Sequence, residues 1–262
     1  MIELLPAVDL HGIQEQRRNY MMGLPYVQEL YAEERVWESE YFIIKVDSAM
    51  AGYICVGADK TLYEFYLMKS ALLLSQEIFK YLIDMKYITS AYCKSFDHLL
   101  LSLCFDFYKQ AVCSAYMFRD DIGMKDSSRK NMDIFVRLAG KDDIGSIIEM
   151  SGDFFCGLEE NISREEVFVF YADDVLLGAG SCKKVWDGMN FYDIGMVVAE
   201  GHRNKGIGTF IISNLKEYCY NNGRIPVCGC SYKNHASKKT LEKAGFAARH
   251  RIIKFEFIKK SD

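Results

Sequence analysis

One succession of patterns occurs twice in this chain: a hairpin, a third strand, a helix, a short strand, a second helix and a closing strand. In the first half, residues 41–46 run to the polar turn Asp47-Ser48 and return through residues 50–56. In the second, residues 167–171 run to Asp173-Asp174 and return through residues 175–182. β-Branched and aromatic runs joined by short polar turns predict hairpins. Each returning strand carries a glycine at a matching place, Gly52 and Gly178. Third strands follow at 61–67 and 190–198, then helical stretches at 75–85 and 206–221. In the latter, Ile207, Phe210, Ile211, Leu215 and Tyr218 recur at helical spacing. Segments 95–107 and 232–246 predict a second helix in each half, and apolar strands at 111–118 and 251–257 close them.

A repeat of about 130 residues is domain-sized, not a solenoid unit. The pattern predicts an α/β fold with mixed α+β sheets in two lobes, which suits a chain of 262 residues. The polar stretch 120–131 separates them. The expected segments are 1–122, a linker at 123–131, and 132–262.

Composition narrows the function. At 50% hydrophobic and 26% charged, the chain is not a disordered or low-complexity one. With a net charge of −4 and no basic stripe, it is not expected to bind nucleic acid. The nine cysteines include no CxxC pair, so they read as core thiols of a reducing compartment, and no metal is expected. No basic leader and no long uncharged apolar run occur, so a soluble, cytoplasmic protein with no membrane partner is expected.

The chemistry points to residues 196–211. A strand through Met196, Val197 and Val198 leads into Arg203-Asn204-Lys205-Gly206-Ile207-Gly208-Thr209, and a helix opens at the glycines. The first turn of a helix has N–H groups without intrahelical partners and carries the positive end of the dipole. Glycines let an anion approach the backbone closely. Arg203 and Lys205 add cations. A tight turn alone would also account for the glycines.

This segment resembles the acetyl-CoA loop of the GNAT superfamily of N-acetyltransferases, (Arg/Gln)-x-x-Gly-x-(Gly/Ala), at Arg203, Gly206 and Gly208. Farther on, Asn234-x-x-Ser237 and Lys243-Ala-Gly245-Phe246 resemble a second pattern of that family, in the same order. The resemblance covers about residues 132–262. It implies acetyl-CoA as co-substrate and a small amine as acceptor. The main chain of Met196 and Val198, on the strand that includes Val197, would pair with the pantetheine arm. The amides around Lys205–Thr209 would hold the pyrophosphate, with Arg203, Asn204, Asn234 and Ser237 nearby.

In the first half the matching stretch is Lys69-Ser-Ala-Leu-Leu-Leu-Ser-Gln, with no glycine. Residues 1–122 therefore read as a degenerate GNAT-like lobe. Tandem lobes of this kind resemble an antibiotic self-resistance group that includes zwittermicin resistance proteins.

The catalytic groups are less defined. Family members often carry a carboxylate at the position of Tyr192; here Asp193 stands one residue later. A bulge at Gly195 would bring it onto the matching face, as a base. Glu159 and Glu160 lie in the region that borders the acceptor in this family. The frequent acid, a tyrosine seven residues after the asparagine, is replaced by Leu241, and Tyr232 and Cys230 are the nearest alternatives. The main reading is direct acetyl transfer to a small-molecule primary amine in a ternary complex. Its rival is a non-catalytic acyl-CoA-binding regulatory protein. The intact loop argues against an aminoacyl-transferring relative, and the sequence does not indicate an oligomeric state.

Overall fold

Chain order reproduces the repeat. The computed structural model describes residues 1–120 and 133–257. Its first elements are β1 (Ile2–Ala7), α1 (Gln14–Gly23), α2 (Leu30–Trp37), β2 (Glu40–Val46), β3 (Ala49–Val56), β4 (Thr61–Leu67), α3 (Ser75–Asp84), β5 (Ser90–Lys94), α4 (His98–Phe107) and β6 (Gln110–Arg119). Then come β7 (Phe135–Leu138), α5 (Ile144–Ser151), α6 (Leu158–Ser163), β8 (Val167–Ala172), β9 (Val175–Lys184), β10 (Phe191–Val198), α7 (Ile207–Asn221), β11 (Ile225–Ser231), α8 (His235–Lys243) and β12 (Ala247–Glu256). The expected linker, 123–131, lies outside the described residues.

The chain forms two compact units, Met1–Ala115 with His250–Asp262, and Tyr116–Arg249. These units differ from the expected segments 1–122 and 132–262 at their ends. The closing strand of the second half belongs to the first unit, where Ile252–Glu256 of β12 pair antiparallel with Ser90–Lys94 of β5. Conversely, the last residues of β6, Tyr116–Arg119, belong to the second unit and are buried there. Periodicity identifies a strand by its alternating faces, but not the sheet whose edge it joins.

In the first unit the strand order is β1-β2-β3-β4-β5-β12. One face packs an apolar core of Ile54, Phe65, Ile78, Phe79, Leu82, Leu100 and Phe255 against α3 and α4. The other face is polar and equally buried. Arg17 of α1 donates to Glu64 of β4 from Nε at 3.1 Å and from Nη2 at 2.9 Å, and to Glu33 of α2 at 2.7 Å. Tyr53 donates to Glu64 at 2.9 Å, and Gln28 donates to Glu33 at 2.6 Å. Lys94 of β5 donates to Gln28 at 2.7 Å. Burial works against charge on Glu64, yet Arg17 holds its carboxyl below the usual range. Burial pushes the Glu33 carboxyl up. The network satisfies its charges internally, as burial of charge requires.

In the second unit the order is β6-β11-β10-β9-β8-β7. Helix α7 covers one face through Ile207, Ile211, Ile212 and Leu215, packed with Ile194 and Phe170. Helices α5 and α6 cover the other through Ile147, Leu158 and Ile162, packed with Val167, Val169 and Ala179. The paired glycines have one physical role. A Cβ on Gly52 would lie 1.9 Å from the Tyr66 carbonyl oxygen, and one on Gly178 would lie 2.5 Å from that of Val197. The registers agree as well, with Gly52 opposite Leu67 and Gly178 opposite Val198.

Candidate active site

Strand β10 pairs antiparallel with β9 from Tyr192 to Val198. Among the described residues it pairs in parallel with β11 only across Phe191–Asp193 and Ile225–Val227. Beyond Asp193 the two strands part, and one edge of β10 is left open. The alternation shows which groups lie on it. The Phe191 carbonyl accepts from Val185 N–H, and Ala199 N–H donates to the Leu177 carbonyl, so odd-numbered residues bond toward β9. The N–H and C=O groups of Met196 and Val198 therefore project to the open edge. An extended ligand can add itself there as a strand would.

The loop after β10 turns sharply to start α7. Asn204 has φ +62° and Gly206 has φ +88°, both in the left-handed region. Gly206 adopts it without a Cβ penalty. The first intrahelical bond runs from Phe210 N–H to the Gly206 carbonyl at 3.0 Å. The amides of Ile207, Gly208 and Thr209 precede it and face the helix mouth. No side chain caps this terminus. The Ile207 side chain is in the core, so that residue offers a ligand only its amide. A Cβ on Gly208 would come within 3.1 Å of Thr240 Cγ2 and 3.3 Å of Met196 Sδ. Gly208 therefore lets α7 approach β10 and α8 as well as leaving backbone bare. Arg203, Asn204 and Lys205 are exposed around the mouth.

The strand residues divide cleanly. Tyr192, Ile194, Met196 and Val198 pack with α7, whereas Val197 packs with the α5–α6 core. The register with β9 is continuous from Tyr192 to Val198. The bulge expected at Gly195 is absent from this pairing, so Asp193 keeps the face opposite to Tyr192. Strict period-two alternation is the reason. Asp193, Gly195 and Val197 share a face, and Phe154 stands over it, its Cζ 3.7 Å from where a Gly195 Cβ would be.

The remaining expected residues are dispersed. Glu160 is exposed and pairs with Arg164 at 2.6 Å on α6. Tyr232, at the end of β11, is 39% exposed and stacks on Tyr116 with centroids 4.7 Å apart. Burial pushes the Cys230 thiol up to about 11, so it is protonated at neutral pH. Asn234 caps α8, its Oδ1 accepting from Ser237 N–H at 3.0 Å, which satisfies an otherwise orphan helix donor. Leu241 is buried in the core. Phe154 closes the short 3-10 turn Gly152–Phe154, a segment too short to carry a periodic signal in the sequence.

The first unit repeats the parting of strands, since β4 and β5 pair only across Thr61–Leu62 and Ser90–Ala91 among the described residues. There, however, Lys94 reaches across to the Tyr63 carbonyl at 3.4 Å. The glycine loop is replaced by the 3-10 turn Lys69–Leu74 ahead of α3.

Comparison with known proteins agrees with this geometry. A family profile described as "Acetyltransferase (GNAT) domain" matches residues 9–121, and one described as "Acetyltransferase (GNAT) family" matches residues 143–246. A GNAT-family acetyltransferase from Colwellia psychrerythraea superposes with a TM-score of 0.87 at 22% identity, covering 98% of this chain and 100% of that one. A tandem GNAT protein from the clavulanic acid biosynthesis pathway superposes at 0.62 with 11% identity, over 100% of both chains. A GCN5-related N-acetyltransferase from Sphaerobacter thermophilus gives 0.57 at 15%, over 95% and 87%. No curated protein matches the sequence.

Proposed function

The chain carries two GNAT acetyltransferase domains in tandem, and on that premise we propose that its second unit transfers the acetyl group of acetyl-CoA directly to a primary amine of a small molecule in a ternary complex. The observation that carries this reading is the open edge of β10 running into a helix mouth with free amides. Pantetheine is a chain of amides, and the exposed N–H and C=O of Met196 are its complement, while Val198, whose carbonyl accepts from Arg203 Nε, offers its N–H at the thioester end. The pyrophosphate fits the Ile207–Thr209 amides, with Arg203 and Lys205 beside them. The Asn234 side chain caps α8 by accepting from the Ser237 N–H, and this helps hold that helix next to Gly208 through Thr240.

The reaction needs an uncharged amine, a donor for the oxyanion and a thiol that can leave. The Val198 N–H on the open edge serves as donor. The CoA sulfur leaves as a thiolate, a far weaker base than an alkoxide, so its departure does not oblige an acid. Asp193 is the nearest carboxylate in sequence, and from the face of Gly195 it can take a proton through water. No helix among the described residues is long and apolar enough to cross a membrane, and we place the reaction in the cytoplasm.

A second reading has one observation behind it. The core position of Leu241 leaves no phenol where the family's acid stands. A non-catalytic acyl-CoA-binding protein would tolerate that. Release of free CoA thiol from acetyl-CoA over a panel of primary amines separates the two. Amine-dependent release supports transfer; tight acetyl-CoA binding with no release over any amine supports the binding protein.

A further inference from the structure

Access to the open edge of β10 is one-sided within the second unit. Its even-numbered side chains face α7, and that face is filled by Ile194, Met196 and Val198 packed with Ile207, Ile211 and Leu215. An acceptor must approach from the other face, that of Asp193, Gly195 and Val197. On that face Gly195 has no side chain, and β9 places Ser181 opposite it. A Cβ at Gly195 would meet Ser181 Oγ at 3.0 Å and Phe154 Cζ at 3.7 Å, so these two groups flank the bare backbone. Phe154 is 50% exposed, yet its ring is held edge-on against buried Phe155, with centroids 4.8 Å apart at 87°. The ring is thus fixed on one side and presents its open side next to the bare backbone of Gly195, where an apolar group on an approaching acceptor can pack.

We propose that Phe154 is a specificity-determining residue, its ring the wall against which the acceptor's carbon skeleton packs. The favoured acceptor is a primary amine whose amine-bearing carbon carries an aryl or branched-alkyl group, not a small polar amine. The inference rests on the reading that β10 holds the thioester. Gly195 is part of the same device, because a Cβ there would crowd the Ser181 hydroxyl at 3.0 Å and take up the space beside the ring, in van der Waals contact with it at 3.7 Å. Phe154 touches neither the thioester nor the transferred group, so its effect falls on the acceptor's binding and leaves the chemistry to the strand.

The test compares benzylamine with ethanolamine on the full chain, with Phe154→Ala and Phe154→Leu. For Phe154→Ala the ratio of kcat/KM for benzylamine to that for ethanolamine falls about tenfold, the scale of one truncated aromatic anchor. The loss appears in KM for benzylamine, and Phe154→Leu restores most of it. An unchanged ratio, or equal loss on both amines, overturns the proposal. Benzylamine binding is also titrated calorimetrically with and without CoA. Phe154-dependent binding supports the wall even in the absence of turnover, and binding that ignores the substitution overturns it. A separate acetyl-CoA titration shows whether the β10 reading itself has failed.

Discussion

Arg203 donates from Nε to the main-chain carbonyl of Val198 at 3.2 Å. The bond closes the glycine loop onto the strand it follows and occupies a carbonyl on the open edge. The terminal nitrogens of the guanidinium fork remain as donors for phosphate. Replacing Arg203 with Lys keeps the charge but loses the fork. Acetyl-CoA should then bind about tenfold more weakly, consistent with loss of one charge-assisted hydrogen bond worth about 1.5–3 kcal/mol. Thermal unfolding should not move, because Arg203 is exposed. Calorimetry and a melting curve check both halves of this expectation.

Gly208 predicts a graded series. An added methyl meets Thr240 Cγ2 at 3.1 Å and Met196 at 3.3 Å, so Gly208→Ala should weaken acetyl-CoA binding by crowding the mouth of α7. Gly208→Asp adds a like charge beside the pyrophosphate and should abolish binding. The intact protein should bind about one acetyl-CoA per chain, because Lys94 bridges the corresponding gap in the first unit. Titration to two equivalents would refute the degenerate reading of that lobe.

Asp143 predicts a pH dependence. Hydrogen bonds from Arg137 at 2.6 and 2.8 Å, against some desolvation, hold its carboxyl down at about 2. Gly140 N–H and the Tyr171 hydroxyl add to this. A carboxyl whose folded pKa lies below its unfolded value stabilises the protein above the unfolded value, near 3.8. That contribution declines as pH falls from there and is gone below about 2. Asp143→Asn should cost about 2 kcal/mol at neutral pH and flatten the acid limb between pH 4 and 2. Denaturant midpoints measured across that range decide it; parallel curves for both proteins would contradict the assignment.

Exchange of the closing strands predicts that the second half does not fold alone. A chain starting at Asp133 lacks Tyr116–Arg119, whose Tyr116 and Phe118 side chains lie in the second unit's core. It also lacks Asp120, which pairs with buried Lys216 at 2.9 Å and accepts from Tyr220 at 2.5 Å. Removing one partner of a buried ion pair costs about 3–5 kcal/mol. That chain should melt without a cooperative transition and bind acetyl-CoA poorly. A sharp transition with undiminished affinity would show that the exchanged strand is dispensable.

The sequence by itself determined the order of elements and the place of the phosphate loop, because both are local. Hairpin turns, the spacing of Ile207, Ile211 and Leu215, and the place of Gly52 and Gly178 within their strands are read from neighbours in the chain. It was silent where one residue's partner lies far away. Strand β1 contains Pro6, which an edge strand tolerates and a central one does not, and its place beside β2 is set by pairing about 40 residues away. The network of Arg17, Glu33, Glu64 and Lys94 has no local signature, since only packing brings α1, α2, β4 and β5 onto one buried face. The face of Asp193 depended on whether Gly195 bulged, and cross-strand hydrogen bonding with β9 decides that. Tertiary structure also assigned β12 and the end of β6 to their units. Period-two patterning says which side of a strand is apolar, and the choice of neighbouring strand is made by long-range burial and hydrogen bonding.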